Sequence, residues 1–363
     1  MYRYLIIINP LGFLYGSAGA FLSPDDLVGR SGAKFPPDAY TLSGLFFGAN
    51  KTEQFINHEE LKELHVAGPF WAELDNPEYF YLPIPWTKII NQEENQTDEW
   101  EIRDDKWYRS EETKEIEPDS RWQTINYWED SAETLLINGG TAKDPWKYTS
   151  ILHPKLEKDQ RCVQQKGGLF LENSVQMGYH TRDNEKLETC LVYLSTHELP
   201  KGWYCFGGEN HLVEISSMEL TDDSWIVKLL KQKIQRSCAL ITPGVWGSTR
   251  FSRRYPDPQH TTFPQPSHIL TDKPSPYRYR VGDNKGRGRL GRGRYAVPAG
   301  TVYVFDEPLN KSWWGDRKEP GFPDELEFIN ESGFPNEWFP NEGFYLKQLG
   351  CGLCLPLAIT GVD

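Results

Sequence analysis

The chain has 363 residues, of which 38% are hydrophobic and 13% aromatic. That is enough apolar surface for a sizeable core, and it excludes a disordered chain. Six cysteines are too few for a disulfide scaffold, and 31 glycines with 26 prolines favour turns and loops over a helical bundle. The formal net charge is −13 but unevenly spread. Residues 92–130 hold 14 Asp/Glu and 5 Lys/Arg, whereas residues 273–294 hold eight Lys/Arg and one acid, Asp283. No stretch approaches the ~18 apolar residues of a membrane span, and the N-terminal apolar run is too short for a secretory signal. These features predict a cytoplasmic protein with no membrane contact.

In chain order, Tyr4–Asn9 is predicted to be a buried strand, β-branched and closed by Pro10 and Gly12. A Gly/Ser/Pro-rich loop carrying Arg30 and Lys34 follows. A short helix is predicted from about Asp38 to Ala49. A second runs to His65, capped by Asn57 with Glu59 and Glu60 in its first turn. Residues 79–85 read as extended. Residues 91–148 are acidic and polar yet contain Trp100, Trp107, Trp122, Trp128 and Trp146, which predicts a folded insertion or a partner-binding arm. In the second half, Leu187–Leu194, Trp203–Phe206 and Thr301–Asp306 read as strands. Thr221–Ser237 is predicted to be an amphipathic helix, with Asp222 and Asp223 in its first turn. Elements of mixed order in both halves predict an α+β fold with antiparallel sheets.

The run Arg278–Arg294 is the strongest local signal for chemistry. Arginine offers a planar fork of donors to phosphate, and glycine lets backbone come close. Tyr277, Tyr279 and Tyr295 are candidates to stack on unpaired bases. Arg250, Arg253 and Arg254 form a second, smaller cluster. Cys351 and Cys354 have the spacing of a redox pair or half a zinc site. No further CxxC or close His pair completes such a site, so a packed terminal strand and loop is expected there. None of the eight histidines forms a tight metal pattern, and neither a nucleophile elbow nor a Walker loop is present. No metal and no cofactor is expected.

Several segments in order resemble one family. They are Ser31–Pro37, Thr41–Leu45, Gly68–Phe70, Tyr79–Pro85, Gly178–Arg182, Leu191–Tyr193, Phe206–Glu209, Leu240–Gly244, Ala296–Phe305 and a Gly-rich tail. Together they resemble subunit three of the CRISPR type III-B (Cmr) effector complex, in the RAMP superfamily. The resemblance implies two tandem ferredoxin-like (RRM-like) domains, placed at 1–160 with the insertion 91–148, and at 161–363 with the glycine-rich tail. It implies a non-catalytic RNA-binding subunit that holds the 5′ tag of the CRISPR RNA in antiviral defence. It further implies contacts, in a hetero-oligomer, with the large polymerase-like subunit and the first backbone RAMP subunit.

Carried over by position, Arg30 and Lys34 fall in the tag-binding loop, and Thr181 and Arg182 in a segment near RNA. Gly350 and Gly352 fall in a loop whose backbone N–H groups would face phosphate. The residues themselves add Arg250, Arg253, Arg254, Arg287, Arg289, Arg292 and Arg294 as RNA contacts. The Arg/Gly run stands where the family has a Trp-rich approach, and 92–148 has no counterpart. Two other readings remain open. One is a RAMP-type endoribonuclease that processes precursor CRISPR RNA with a base such as His180. The other is an assembly adaptor docking through the acidic insertion.

Overall fold

The structure is a computed structural model that describes residues 1–14, 35–110, 115–154, 157, 162–163, 169–182, 185–207, 211–248, 250–282, 289–315 and 332–362. Its strands in the first half are β1 (Tyr4–Pro10), β2 (Val66–Glu73), β3 (Tyr81–Pro83), β4 (Lys88–Asn91), β5 (Gln96–Arg103), β6 (Lys106–Arg109), β7 (Trp122–Thr124), β8 (Thr141–Ala142) and β9 (Trp146–Pro154). They continue with β10 (Leu169–Met177), β11 (Tyr179–Arg182), β12 (Glu185–Ser195), β13 (Gly202–Phe206), β14 (His211–Glu219), β15 (Ser237–Leu240), β16 (Trp246–Gly247) and β17 (Ser252–Arg253). The last are β18 (His268–Leu270), β19 (Ser275–Tyr277), β20 (Arg280–Val281), β21 (Arg289–Leu290), β22 (Arg294–Ala296), β23 (Val302–Val304) and β24 (Cys354–Pro356). The helices are α1 (Ala39–Glu53), α2 (His58–Lys62), α3 (Ala132–Ile137) and α4 (Trp225–Lys231). The fold is therefore mixed α+β and strand-rich, with antiparallel sheets.

The main sheet runs β13–β14–β1–β12–β2–β3–β7–β8, with β11 joined to β12. Its centre, β14–β1–β12–β2, has the strand order of a ferredoxin-like sheet, and α1 makes the crossover from β1 to β2. A second sheet, β18–β23–β15–β24, repeats that order. Among the described residues, neither sheet is accompanied by the full pair of crossover helices, so the likeness lies in strand order. The sheets do not divide at residue 160. β12 and β14, beyond that point, flank β1 within one sheet.

The period of two along the strands produces two cores. Ile6, Ile8, Trp71, Leu191 and Tyr193 face α1 residues such as Leu42 and Phe46. Leu5, Phe70, Val192 and Leu194 face the opposite way, in one cluster with Ala239 of the second sheet, Tyr303 and Leu355. Burial on both faces explains why Tyr4–Asn9 reads as a continuous apolar run rather than an alternating one.

Local signals fix several ends. The Asn57 side chain accepts the Glu60 amide at 2.9 Å and opens α2. α4 is shorter than its periodicity predicts. Gln232 already has extended backbone, the Ile234 amide donates to Lys311 O at 2.8 Å, and Ser237 must enter β15. Asp222 and Asp223 precede the helix and pair with Lys231 and Lys228 instead of sitting in its first turn.

The acidic insertion is built into the body. Its β7 and β8 extend the main sheet beyond β3, where Trp71 of β2 stacks on Tyr81 of β3 with ring centroids 3.8 Å apart. The meander β4–β5–β6 meets the tail, where the Ile102 amide donates to Thr360 O at 3.0 Å. Trp122, Trp128 and Trp146 are buried, and Trp128 Nε1 donates to Pro356 O at 2.7 Å. The tryptophans that suggested a docking arm are largely consumed in internal packing, Trp100 and Trp107 being half-buried. The tail is the packed strand and loop expected for Cys351–Cys354, with β24 paired to β15 and both cysteines buried. Among the described residues, no helix is long and apolar enough to cross a membrane.

Candidate nucleic-acid interface

The described parts of the Arg/Gly run lie on both sides of an antiparallel hairpin, residues 278–281 on the outgoing side and 289–294 on the returning one. β19 pairs with β22, and β20 with β21, in the registers Tyr277↔Arg294 and Arg280↔Leu290. Alternation along these strands sorts the side chains by face. Tyr277, Tyr279, Arg294 and Ala296 are buried, whereas Arg280 and Tyr295 are exposed; Arg292, outside the strands between β21 and β22, is exposed as well. The Arg278 Nε–H donates to Gly291 O at 2.7 Å and ties the two strands together.

The inward face corrects two expectations. Tyr277 and Tyr279 are each 4% exposed, so of the three tyrosines only Tyr295, at 55%, presents a ring to solvent. Arg294 is likewise buried and ion-paired with Glu342, which also accepts the Tyr279 hydroxyl. Burial, and next the bond to Glu342, push the Tyr279 hydroxyl pKa above its ordinary value. A guanidinium engaged in this way is a structural group, not a free phosphate ligand.

The second arginine cluster lies beside the first. β17 packs against β22, and the Tyr295 amide donates to Ser252 Oγ at 2.9 Å. Two segments about 40 residues apart in sequence are thus joined on one surface. Residues 247–254 and 289–296 together carry six arginines and no carboxylate. Arg250, Arg253, Arg254 and Arg292 are exposed. Arg253 also pairs with Asp257 at 2.7 Å, and His260 Nδ1 lies 3.0 Å from the same carboxyl oxygen. Burial pushes the Asp257 pKa up, but the Gln259 amide, His260 and Arg253 outweigh that and hold it below the ordinary value.

The segment after β16 is pinned from the core. Trp246 Nε1 donates to the Tyr303 hydroxyl at 3.1 Å, and that hydroxyl donates to Arg254 O at 2.5 Å. Gly247 has φ +84°, and a Cβ there would lie 2.3 Å from Phe251 O, so the turn requires glycine. Sequence reading named this segment for its arginines and gave no role to Phe251, which is 71% exposed. The available signal was one large apolar ring set among arginines in a turn. Asp257 and Glu342 were also missed, because nothing local to the sequence joins them to their arginines.

The other candidates lie elsewhere. Arg30, Lys34 and Arg287 fall outside the described residues. Arg182 and Arg289 are placed by their backbone in β11 and β21. Thr181 is exposed in β11, opposite Lys186. Gly350 and Gly352 are buried, and their amides donate to Lys347 O and Pro243 O, both at 2.9 Å. Those N–H groups are satisfied internally rather than turned to a ligand. His180, also in β11, has Nδ1 2.9 Å from Glu73 Oε1, with its ring edge-on to Trp71 and Tyr81. Among the described residues, no group of three or more His, Cys, Asp and Glu is arranged to hold a metal ion.

With this geometry in place, comparison with solved structures gives a consistent set. The chain is similar to chains of type III CRISPR complexes. One belongs to the cryo-EM structure of the type III-B Cmr-beta bound to cognate target RNA, at 11% identity and a TM-score of 0.44, covering 83% of this chain and 86% of that one. The same complex with AMPPnP gives 10% identity and a TM-score of 0.45, with the same coverage. A chain of the Csm3–Csm4 subcomplex of the type III-A interference complex gives 10% identity and a TM-score of 0.35, covering 84% and 93%. At these values the likeness assigns neither a role nor a residue to this chain. No family model and no curated protein matches it.

Proposed function

We propose that this chain is a non-catalytic RNA-binding subunit of a type III-B CRISPR effector complex. In this role it holds the 5′ tag of the CRISPR RNA and bridges the large polymerase-like subunit and the first backbone subunit. One observation carries the reading: two arginine segments, distant in sequence and free of carboxylates, meet on one exposed surface. The ordered segments of the sequence that resemble subunit three supply the setting. Exposed guanidiniums would bind phosphate and make affinity fall as salt rises.

The experiment compares the purified complex with its Arg250→Ala, Arg254→Ala, Arg292→Ala triple variant. All three side chains are exposed, so folding should be unaffected. Loss of three phosphate contacts should lower the slope of log affinity against log salt by about 2 for single-stranded RNA. Unchanged RNA retention and an unchanged slope would refute the interface.

The pairing of His180 with Glu73 favours a second reading, an endoribonuclease. Glu73 would hold the imidazole so that its other nitrogen takes the proton of an attacking 2′-OH. The test is incubation of the purified chain with precursor RNA in the absence of metal. The non-catalytic reading expects no site-specific cut. A cut that disappears in His180→Ala would establish the second reading.

A further inference from the structure

We infer that Phe251 and Tyr295 form a two-ring platform for unpaired bases, so that the surface selects single-stranded over duplex RNA. The inference rests on the RNA-binding reading and adds to it the form of RNA and the residues that choose it. Phe251 is 71% exposed and Tyr295 55%, although large rings normally find cover.

Their exposure is imposed by the local backbone. Ser248 Oγ accepts the amides of Arg250 and Phe251, each at 3.2 Å, and the Ser248 amide donates to Phe251 O at 3.0 Å. With Gly247 and the Tyr303 bond to Arg254 O, this fixes the tip that carries Phe251 outward. Tyr295 is held by its amide bond to Ser252, the residue next to Phe251. The rings therefore stand on adjoining backbone and lose little freedom on binding.

Charge complementarity points to the occupant. The rings are interleaved with Arg250, Arg254 and Arg292, with Arg253 held by Asp257, and neither segment carries an acid of its own. Rings among arginines match bases among phosphates, since every base has a π-face and every linkage an anion. A duplex keeps its bases stacked internally and offers no free face.

The test measures binding of a fluorescent oligouridine, its abasic analogue and an RNA duplex to the intact chain or complex. The proteins are wild type, Phe251→Ala, Tyr295→Ala and Phe251→Trp. Each alanine variant should weaken oligouridine binding roughly five- to 150-fold with the salt slope unchanged, because a stacking ring is lost and no charge is removed. Phe251→Trp should retain binding, and the abasic and duplex RNAs should bind wild type and alanine variants alike. Wild-type affinity in both alanine variants would overturn the platform while leaving RNA binding intact. Equal losses for oligouridine and abasic RNA would also overturn it, as would loss of a co-purifying protein without loss of RNA affinity. If the wild-type protein binds none of the RNAs, the RNA-binding reading itself fails.

Discussion

Replacing Glu342 with alanine is expected to lower stability by about 3–5 kcal/mol, the usual cost of leaving a buried charge without its partner. The side chains of Arg294 and Glu342 are 3% and 13% exposed, and Glu342 also accepts the Tyr279 hydroxyl. Removing the carboxylate strands a guanidinium and a phenol in the base of the hairpin. Denaturant unfolding measures the loss. Glu342→Leu combined with Arg294→Met should recover much of it, because an apolar pair of similar volume needs no counter-charge. A loss below about 1 kcal/mol would place the pair among weak, solvent-screened ones. The same pair explains why Arg294 behaves differently from Arg292, two residues away in the same run.

Gly350→Ala is expected to cost about 2–4 kcal/mol, combining left-handed backbone strain with overpacking. Gly350 has φ +65°, and a Cβ there would meet Ala67 Cβ at 2.5 Å and Val66 O at 2.6 Å. Backbone of the main sheet would have to move, and it cannot swing aside like a side chain. Thermal unfolding should show the drop, and the folded fraction should keep its RNA affinity. Loss of RNA affinity at undiminished stability would return the tail glycines to a ligand-binding role.

Parts of the fold were readable where short-range chemistry decides. Tyr4–Asn9 announced a buried strand, and Asn57 announced the start of α2 by its capping side chain. Of the apolar stripe Trp225, Ile226, Leu229, Leu230 and Ile234, the last four are buried, whereas Trp225 at the helix start is exposed. The helix nevertheless ends at Lys231, because the chain must cross to Lys311 and enter β15. Tertiary hydrogen bonds override periodicity there, and no local pattern encodes them.

The candidate site was readable as composition but not as geometry. The Arg/Gly run looked like one flexible strip. Pairing of β19 with β22 sends Tyr277 and Arg294 inward and Tyr295 outward, while Arg292, between β21 and β22, is exposed outside the strands. The register within β22 comes from pairing with β19, and one residue of slip would turn Arg294 outward and Tyr295 inward. The contact of Ser252 with Tyr295 joins two clusters that looked unrelated in sequence. The insertion shows the same limit. Its acids and tryptophans suggested an arm, yet Trp128 is fastened to Pro356 across 228 residues.

The central claim is that RNA lies across the surface made by residues 247–254 and 289–296. Photo-crosslinking of the purified complex to RNA carrying 4-thiouridine, with the crosslinked peptides identified by mass spectrometry, tests it most directly. The account predicts crosslinks at Phe251 and Tyr295 and their immediate neighbours, diminished when Arg250, Arg254 and Arg292 are replaced by alanine. Crosslinks confined to other parts of the chain, and unaffected by those replacements, would contradict it.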